Sequence, residues 1–169
     1  MALSMYAVTI PVIQKNLTNL MALLDKGEAY AKAKDFDPSI LLGMRLAPDM
    51  YSLTEQVQTA THFAKTLPSR LAGREPPGWE DGEKTFSDLK ERIRRAMEFV
   101  RGFKAGDIDG SEDREILANV NDRKVPFSGL SYTLNFAFPN FFFHIAASYA
   151  ILRHAGVSLG KSDFLGSLD

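Results

Sequence analysis

The sequence predicts an all-α fold, a four-helix bundle carrying a small β-hairpin between its third and fourth helices. Three observations point there. Apolar residues recur at helical spacing in three long segments. A fourth segment, near the end, is apolar almost throughout, and only one short stretch alternates polar and apolar residues as a strand does. The 169 residues suffice to bury a core, and no composition shift or repeat divides them, so one domain spanning 1–169 is expected.

The first helix is expected to begin at Ser4, whose hydroxyl suits an N-cap. Its stripe is Tyr6, Ile10, Ile13, Leu17, Leu20 and Leu24, stepping alternately by four and three residues. Pro11 costs one backbone hydrogen bond, and the helix is expected to falter at Gly27 and resume weakly to Lys34. A connector over 35–48 follows. The second helix is expected from Pro48 or Asp49, with the stripe Met50, Leu53, Val57, Ala60, Ala64, Leu67 and Leu71, a kink at Pro68 and a stop at Gly73. A loop with Pro76, Pro77 and Trp79 leads to the third helix, from about Glu83 to Phe103. Phe86, Leu89, Ile93, Met97, Val100 and Phe103 form its buried face; Lys90, Glu91, Arg94, Arg95 and Glu98 form its wet one. Ile116, Ala118, Val120, Val125 and Phe127 then alternate with polar residues around Asn121-Asp122, which reads as a hairpin with an Asn-Asp turn. The last long helix, about Leu130 to His154, has five phenylalanines between Phe136 and Phe143 and is expected to be buried on most sides.

Bulk composition narrows the function. Net charge is −1 with the cations dispersed, which is no footprint for nucleic acid. No cysteine is present, so disulfides, thiolate metal sites and cysteine nucleophiles are excluded. The start Met1-Ala2-Leu3-Ser4 has no basic segment of a signal peptide, and no apolar run spans a bilayer. Cytoplasmic residence without a membrane partner is the expectation. Phosphate loops and nucleophile elbows are also missing, and no residue is assigned a catalytic role.

One polar constellation stands out. Asn140, His144 and Ser148 lie four residues apart and share one face of the greasiest helix. Buried polar groups without partners cost roughly 1–3 kcal/mol each, so these three must meet a polar neighbour, a cavity or a subunit interface. Satisfied hydrogen bonding in the core is the simplest account; a ligand or metal pocket and an interface are the others. A carboxylate or amide from the second helix, Asp49, Glu55 or Gln56, could join the imidazole. His62 reads as a boundary imidazole, His154 as a cation favoured at a helix C-terminus, and Trp79 as packed on its own bundle. The charged run Glu112 to Glu115 reads as solvated.

Three segments carry a family resemblance: Leu46-Ala47-Pro48-Asp49-Met50 with Gln56-Val57-Gln58; Pro139-Asn140-Phe141-Phe142-Phe143-His144; and Leu152-Arg153-His154-Ala155-Gly156-Val157 with Gly160-Lys161-Ser162-Asp163-Phe164-Leu165-Gly166. Together they resemble the bacterial domain-of-unknown-function family DUF1993 over nearly the whole chain. That family is similar in turn to the DinB/YfiT-like superfamily of four-helix bundles, whose members include metal-dependent, thiol-dependent transferases and hydrolases. The resemblance implies a metal set of one histidine on the second helix and a His-x-x-x-His pair on the fourth. Here the pair would fall on Asn140 and His144, and the second-helix ligand near Gln56, less readily on Asp49. Only His144 keeps its imidazole. The resulting expectation is a ligand-binding or non-catalytic homodimeric bundle with a degenerate site at Asp49, Gln56, Asn140, His144 and Ser148, a small-molecule ligand and no cofactor. The alternative is an enzyme in which His144 holds a divalent metal such as zinc or nickel. An oligomer contact through the Pro76–Trp79 loop or the hairpin is compatible with either.

Overall fold

A computed structural model describes residues 4–167. The reading of Met1 to Leu3 falls outside them. Ser4 caps α1 (Met5–Ala33), its Oγ accepting from the Ala7 amide at 3.1 Å, and the helix runs through Gly27 without a break. The expected faltering there is corrected by packing. A Cβ on residue 27 would sit 2.8 Å from Leu152 Cδ2, so the glycine gives neighbouring side chains room to close on α1. That contact outweighs the weak helix propensity of glycine, about 1 kcal/mol.

After a short helix α2 (Ser39–Gly43), the chain turns through Ala47 to Met50 and enters α3 (Leu53–Leu71). The expected start at Pro48 or Asp49 is also corrected. Ser52 is the N-cap, and its backbone amide donates to Glu55 Oε2 at 2.8 Å while its Oγ accepts from the Glu55 amide. This reciprocal pair satisfies two otherwise orphaned amides. Met50 fits the stripe spacing but lies outside the helix. Thr85 and Asp88 make the same arrangement at the start of α4 (Phe86–Arg101).

Beyond a single turn, α5 (Ala105–Ile108), comes the hairpin of β1 (Glu115–Val120) and β2 (Arg123–Ser128), antiparallel from Glu115↔Ser128 to Val120↔Arg123. Asn121 and Asp122 have φ of 48° and 61°, the left-handed pair that a tight two-residue turn requires. Ile116 and Ala118 point inward, and Phe127 leans on Tyr132 and Phe136. Gly129 opens a helical turn, α6 (Gly129–Tyr132), against the backbone of Ser111. A Cβ there would lie 1.9 Å from the Ser111 carbonyl oxygen. Gly129→Ala is expected to cost about 3 kcal/mol through forced backbone movement. A urea midpoint equal to wild type would refute that.

The last long helix, α7 (Phe138–His154), continues α6 through one wide turn at Thr133–Ala137, and a short α8 (Lys161–Leu165) folds back on α1, where Asn19 donates to the Phe164 carbonyl at 3.0 Å. The four long helices share one apolar core: α7 packs on α3 and α1, and α4 packs on the same two. The protein is therefore mostly helical with one two-stranded hairpin. Most of α7 is buried or half-buried, as its composition suggests: Phe141, Ile145, Ile151 and Leu152 are buried, and Phe138 and Phe142 half-buried. One strip stays open, with Phe143 more than half exposed, as is Leu134 in the wide turn before α7. Among the described residues no helix is long and apolar enough to cross a membrane.

Candidate functional site

Pro139 shapes the polar face of α7. It has no amide hydrogen, and its ring would crowd a regular preceding turn. The helix answers with the wide turn over Thr133–Ala137, closed by the Phe138 amide on the Thr133 carbonyl. Asn140 Nδ2 donates to the Phe136 carbonyl at 2.7 Å and so satisfies this altered stretch. One turn after His144, Ser148 Oγ donates to the His144 carbonyl at 2.8 Å. Two of the three polar side chains thus serve their own helix.

His144 alone reaches across to another helix. Its Nδ1 lies 2.7 Å from Gln56 Oε1 on α3. Gln56 is itself oriented, since its Nε2 donates to the Tyr51 carbonyl at 3.2 Å. That bond turns Oε1 toward the imidazole. A carbonyl oxygen only accepts, so Nδ1 carries the proton and Nε2 holds the lone pair in the neutral ring. Burial pushes the His144 pKa down to about 4, which keeps the ring neutral at physiological pH. The rings of Tyr51 and Phe63 lie nearly parallel to it, each 6.2 Å away between centroids, and Phe143 meets it edge-on. Nε2 has no protein partner, yet the one fully enclosed, unpaired side-chain polar atom among the described residues is Ser111 Oγ. The free nitrogen of His144 therefore keeps a path to solvent.

The structure brings Gln56 and His144 together and sets Asn140 and Ser148 one turn to either side. Asp49 is exposed in the turn before α3 and hydrogen-bonds to none of them. Glu55, the neighbouring acid, is used by the Ser52 cap and by Arg45 at 3.0 Å. Its carboxyl is held below the usual range, chiefly by the Ser52 hydroxyl. His154 is exposed in the last turn of α7, and His62 sits on the outer side of α3. Among the described residues, no three His, Asp or Glu side chains converge as a metal-binding group.

A second feature lies on that outer side of α3, where a recess of about 550 Å³ opens between α3, the loop over 74–85 and α4. Tyr51, which stacks on His144, forms one wall; His62, Lys65, Trp79, Asp81 and Arg92 form others. Arg92 organises the loop. It donates to Thr61 Oγ1 at 2.7 Å, to the Glu80 carbonyl at 3.0 Å, and pairs with Glu83 and Asp81 at 2.9 Å each. Reading the sequence missed Lys65 and Arg92, which are 4% and 6% exposed. Their signal was present: Arg92 is three residues after Leu89 and four before Ala96, on the buried face of α4, and Lys65 follows Thr61 by one turn. A charge on a buried stripe has to be held by something.

A family model described as "Domain of unknown function (DUF1993)" matches residues 5–165. The fold is similar to the crystal structure of a DinB family member protein from Shewanella denitrificans, with a TM-score of 0.91 and 36% identity, covering 96% of this chain and 92% of that one. No curated protein matches the sequence.

Proposed function

The chain belongs to the DUF1993 family, and from that premise we propose that it is a non-catalytic, ligand-binding four-helix bundle of DinB type in which a hydrogen bond stands where the family resemblance would place a metal. The observation that carries this reading is the 2.7 Å contact between Gln56 Oε1 and His144 Nδ1. It joins the two positions at which the family resemblance would put metal ligands. A protonated Nδ1 cannot coordinate, and the Asn140 amide is engaged by the Phe136 carbonyl. What remains for a metal is one imidazole lone pair beside weak amide oxygens, a set that does not fit zinc or nickel.

Elemental analysis of protein purified from zinc- and nickel-supplemented culture tests this. We expect far less than one metal per chain, and no shift of melting temperature on adding a chelator. A full equivalent of metal that disappears in His144→Ala would sink the proposal. It would favour the other reading, a metal-dependent enzyme of the transferase or hydrolase kind, which the unpartnered Nε2 of His144 supports.

The proposed assembly is a cytoplasmic homodimer. The dimer is supported by the large apolar side chains left exposed at Leu130 on α6, Leu134 in the wide turn and Phe143 on α7. Light scattering at micromolar concentration should give twice the chain mass, with Phe143→Glu reverting to one. A monomeric wild type would remove the dimer from the reading.

A further inference from the structure

The recess beside α3 shares Tyr51 with the Gln56–His144 pair, but neither of those two residues lines it, and it holds a buried cation of its own. Lys65 is the reason. A lysine only 4% exposed is rare, and buried ammonium groups normally meet a carboxylate. Lys65 has none. Its Nζ donates to the Pro77 carbonyl at 2.5 Å, leaving the rest of its three-proton capacity without a protein acceptor. The nearby carboxylates are directed elsewhere: Asp81 and Glu83 pair with Arg92, and Glu83 also accepts from Gln58 at 2.7 Å. Burial and then the charge of Arg92 hold the Lys65 pKa below its ordinary value, as expected of a cation short of an anion.

The rest of the wall narrows the ligand. The indole of Trp79 flanks the ammonium, its centroid 5.3 Å from Lys65 Nζ, and is steadied by Arg95 at 4.5 Å and an edge contact with Phe99. Tyr51 supplies a second ring. The two rings offer contact to one flat group within a lining that is otherwise mostly polar. Glu55 and Asp81 also border the space, and their charge disfavours a dianion such as phosphate. The volume matches ordinary small-molecule sites.

We propose that this recess binds a small, flat monocarboxylate, its carboxylate on Lys65 Nζ and its ring against Trp79. Trp79 is the protein's one tryptophan, so its fluorescence reports the site directly. Benzoate is the probe, with benzamide as its neutral isostere and inorganic phosphate as the dianionic control. Benzoate is expected to give a saturable fluorescence change, with benzamide at least about tenfold weaker for want of the charge-assisted hydrogen bond. Lys65→Met should abolish the benzoate response, and Lys65→Arg should recover part of it. Where Lys65→Met fails to fold, as judged by circular dichroism, the imidazole resonances of wild type keep the test decisive. His62 lines the recess with its pKa lowered by burial and by Lys65, so bound benzoate should raise its titration midpoint and leave exposed His154 unmoved. No saturable response, equal binding of benzamide, tighter binding of phosphate, or an unmoved His62 midpoint would each overturn the proposal.

Discussion

Installing imidazoles at two positions, Gln56→His with Asn140→His, is expected to convert the hydrogen-bonded pair into a tight zinc or nickel site. Gln56 already touches the His144 ring, so a side chain from that position reaches the shared space. Asn140 precedes His144 by one helical turn, and its side chain lies on the same face of α7. Three neutral imidazoles with one open position is the donor arrangement of many zinc sites. With the Gln56 acceptor gone, nothing holds the His144 proton on Nδ1, and either ring nitrogen can coordinate. Affinity should rise by about a thousandfold over wild type, about 4 kcal/mol, measured by calorimetric titration of zinc. The double variant without metal should be less stable than wild type by about 2 kcal/mol, because the Phe136 carbonyl and the Tyr51 carbonyl each lose a donor. Added zinc should then raise its melting temperature while leaving that of wild type in place. A double variant that folds yet binds zinc no better than wild type would show that α3 and α7 do not present these positions to a common point.

The second large effect is acid destabilisation traceable to one residue. Burial holds His144 neutral down to about pH 4, whereas in the unfolded chain it titrates near its ordinary value of 6.5. Between those limits the unfolded state binds more protons. Stability therefore rises with pH across the window, is fully present above about 6.5, and drains away as pH falls toward 4, levelling off below it. A displacement of that size corresponds to about 3 kcal/mol. His62, also held low by burial and the neighbouring cations Lys65 and Arg70, acts in the same direction. Comparison with His144→Gln separates the two, since His62 titrates in both proteins. Urea unfolding should show wild type losing about 3 kcal/mol relative to the variant between neutral pH and pH 4. Parallel losses in the two proteins would mean that the imidazole is already protonated in the fold, or is not buried.

Much of this was legible in the chain itself. The stripes from Tyr6 to Leu24, Leu53 to Leu71 and Phe86 to Val100 name their buried faces because helical geometry repeats, and that repeat is local information. The Asn121-Asp122 turn was legible for the same reason: those residues tolerate left-handed backbone where others do not. The polar stripe on α7 was visible too, and so was its demand for partners.

Tertiary structure decided what the residues meet. Periodicity could not say that Asn140 and Ser148 would be satisfied within α7 while His144 crossed to Gln56, because those choices depend on the wide turn before Pro139 and on the register of α7 against α3. Nor could it say that α1 would pass Gly27 unbroken, since the reason lies in Leu152, far along the chain. Lys65 and Arg92 became neighbours of Trp79 only when the loop over 74–85 folded back on α3 and α4. Backbone hydrogen bonds and helical periods are set by residues a few positions apart, whereas the solvation of a charge is set by whatever the fold brings beside it.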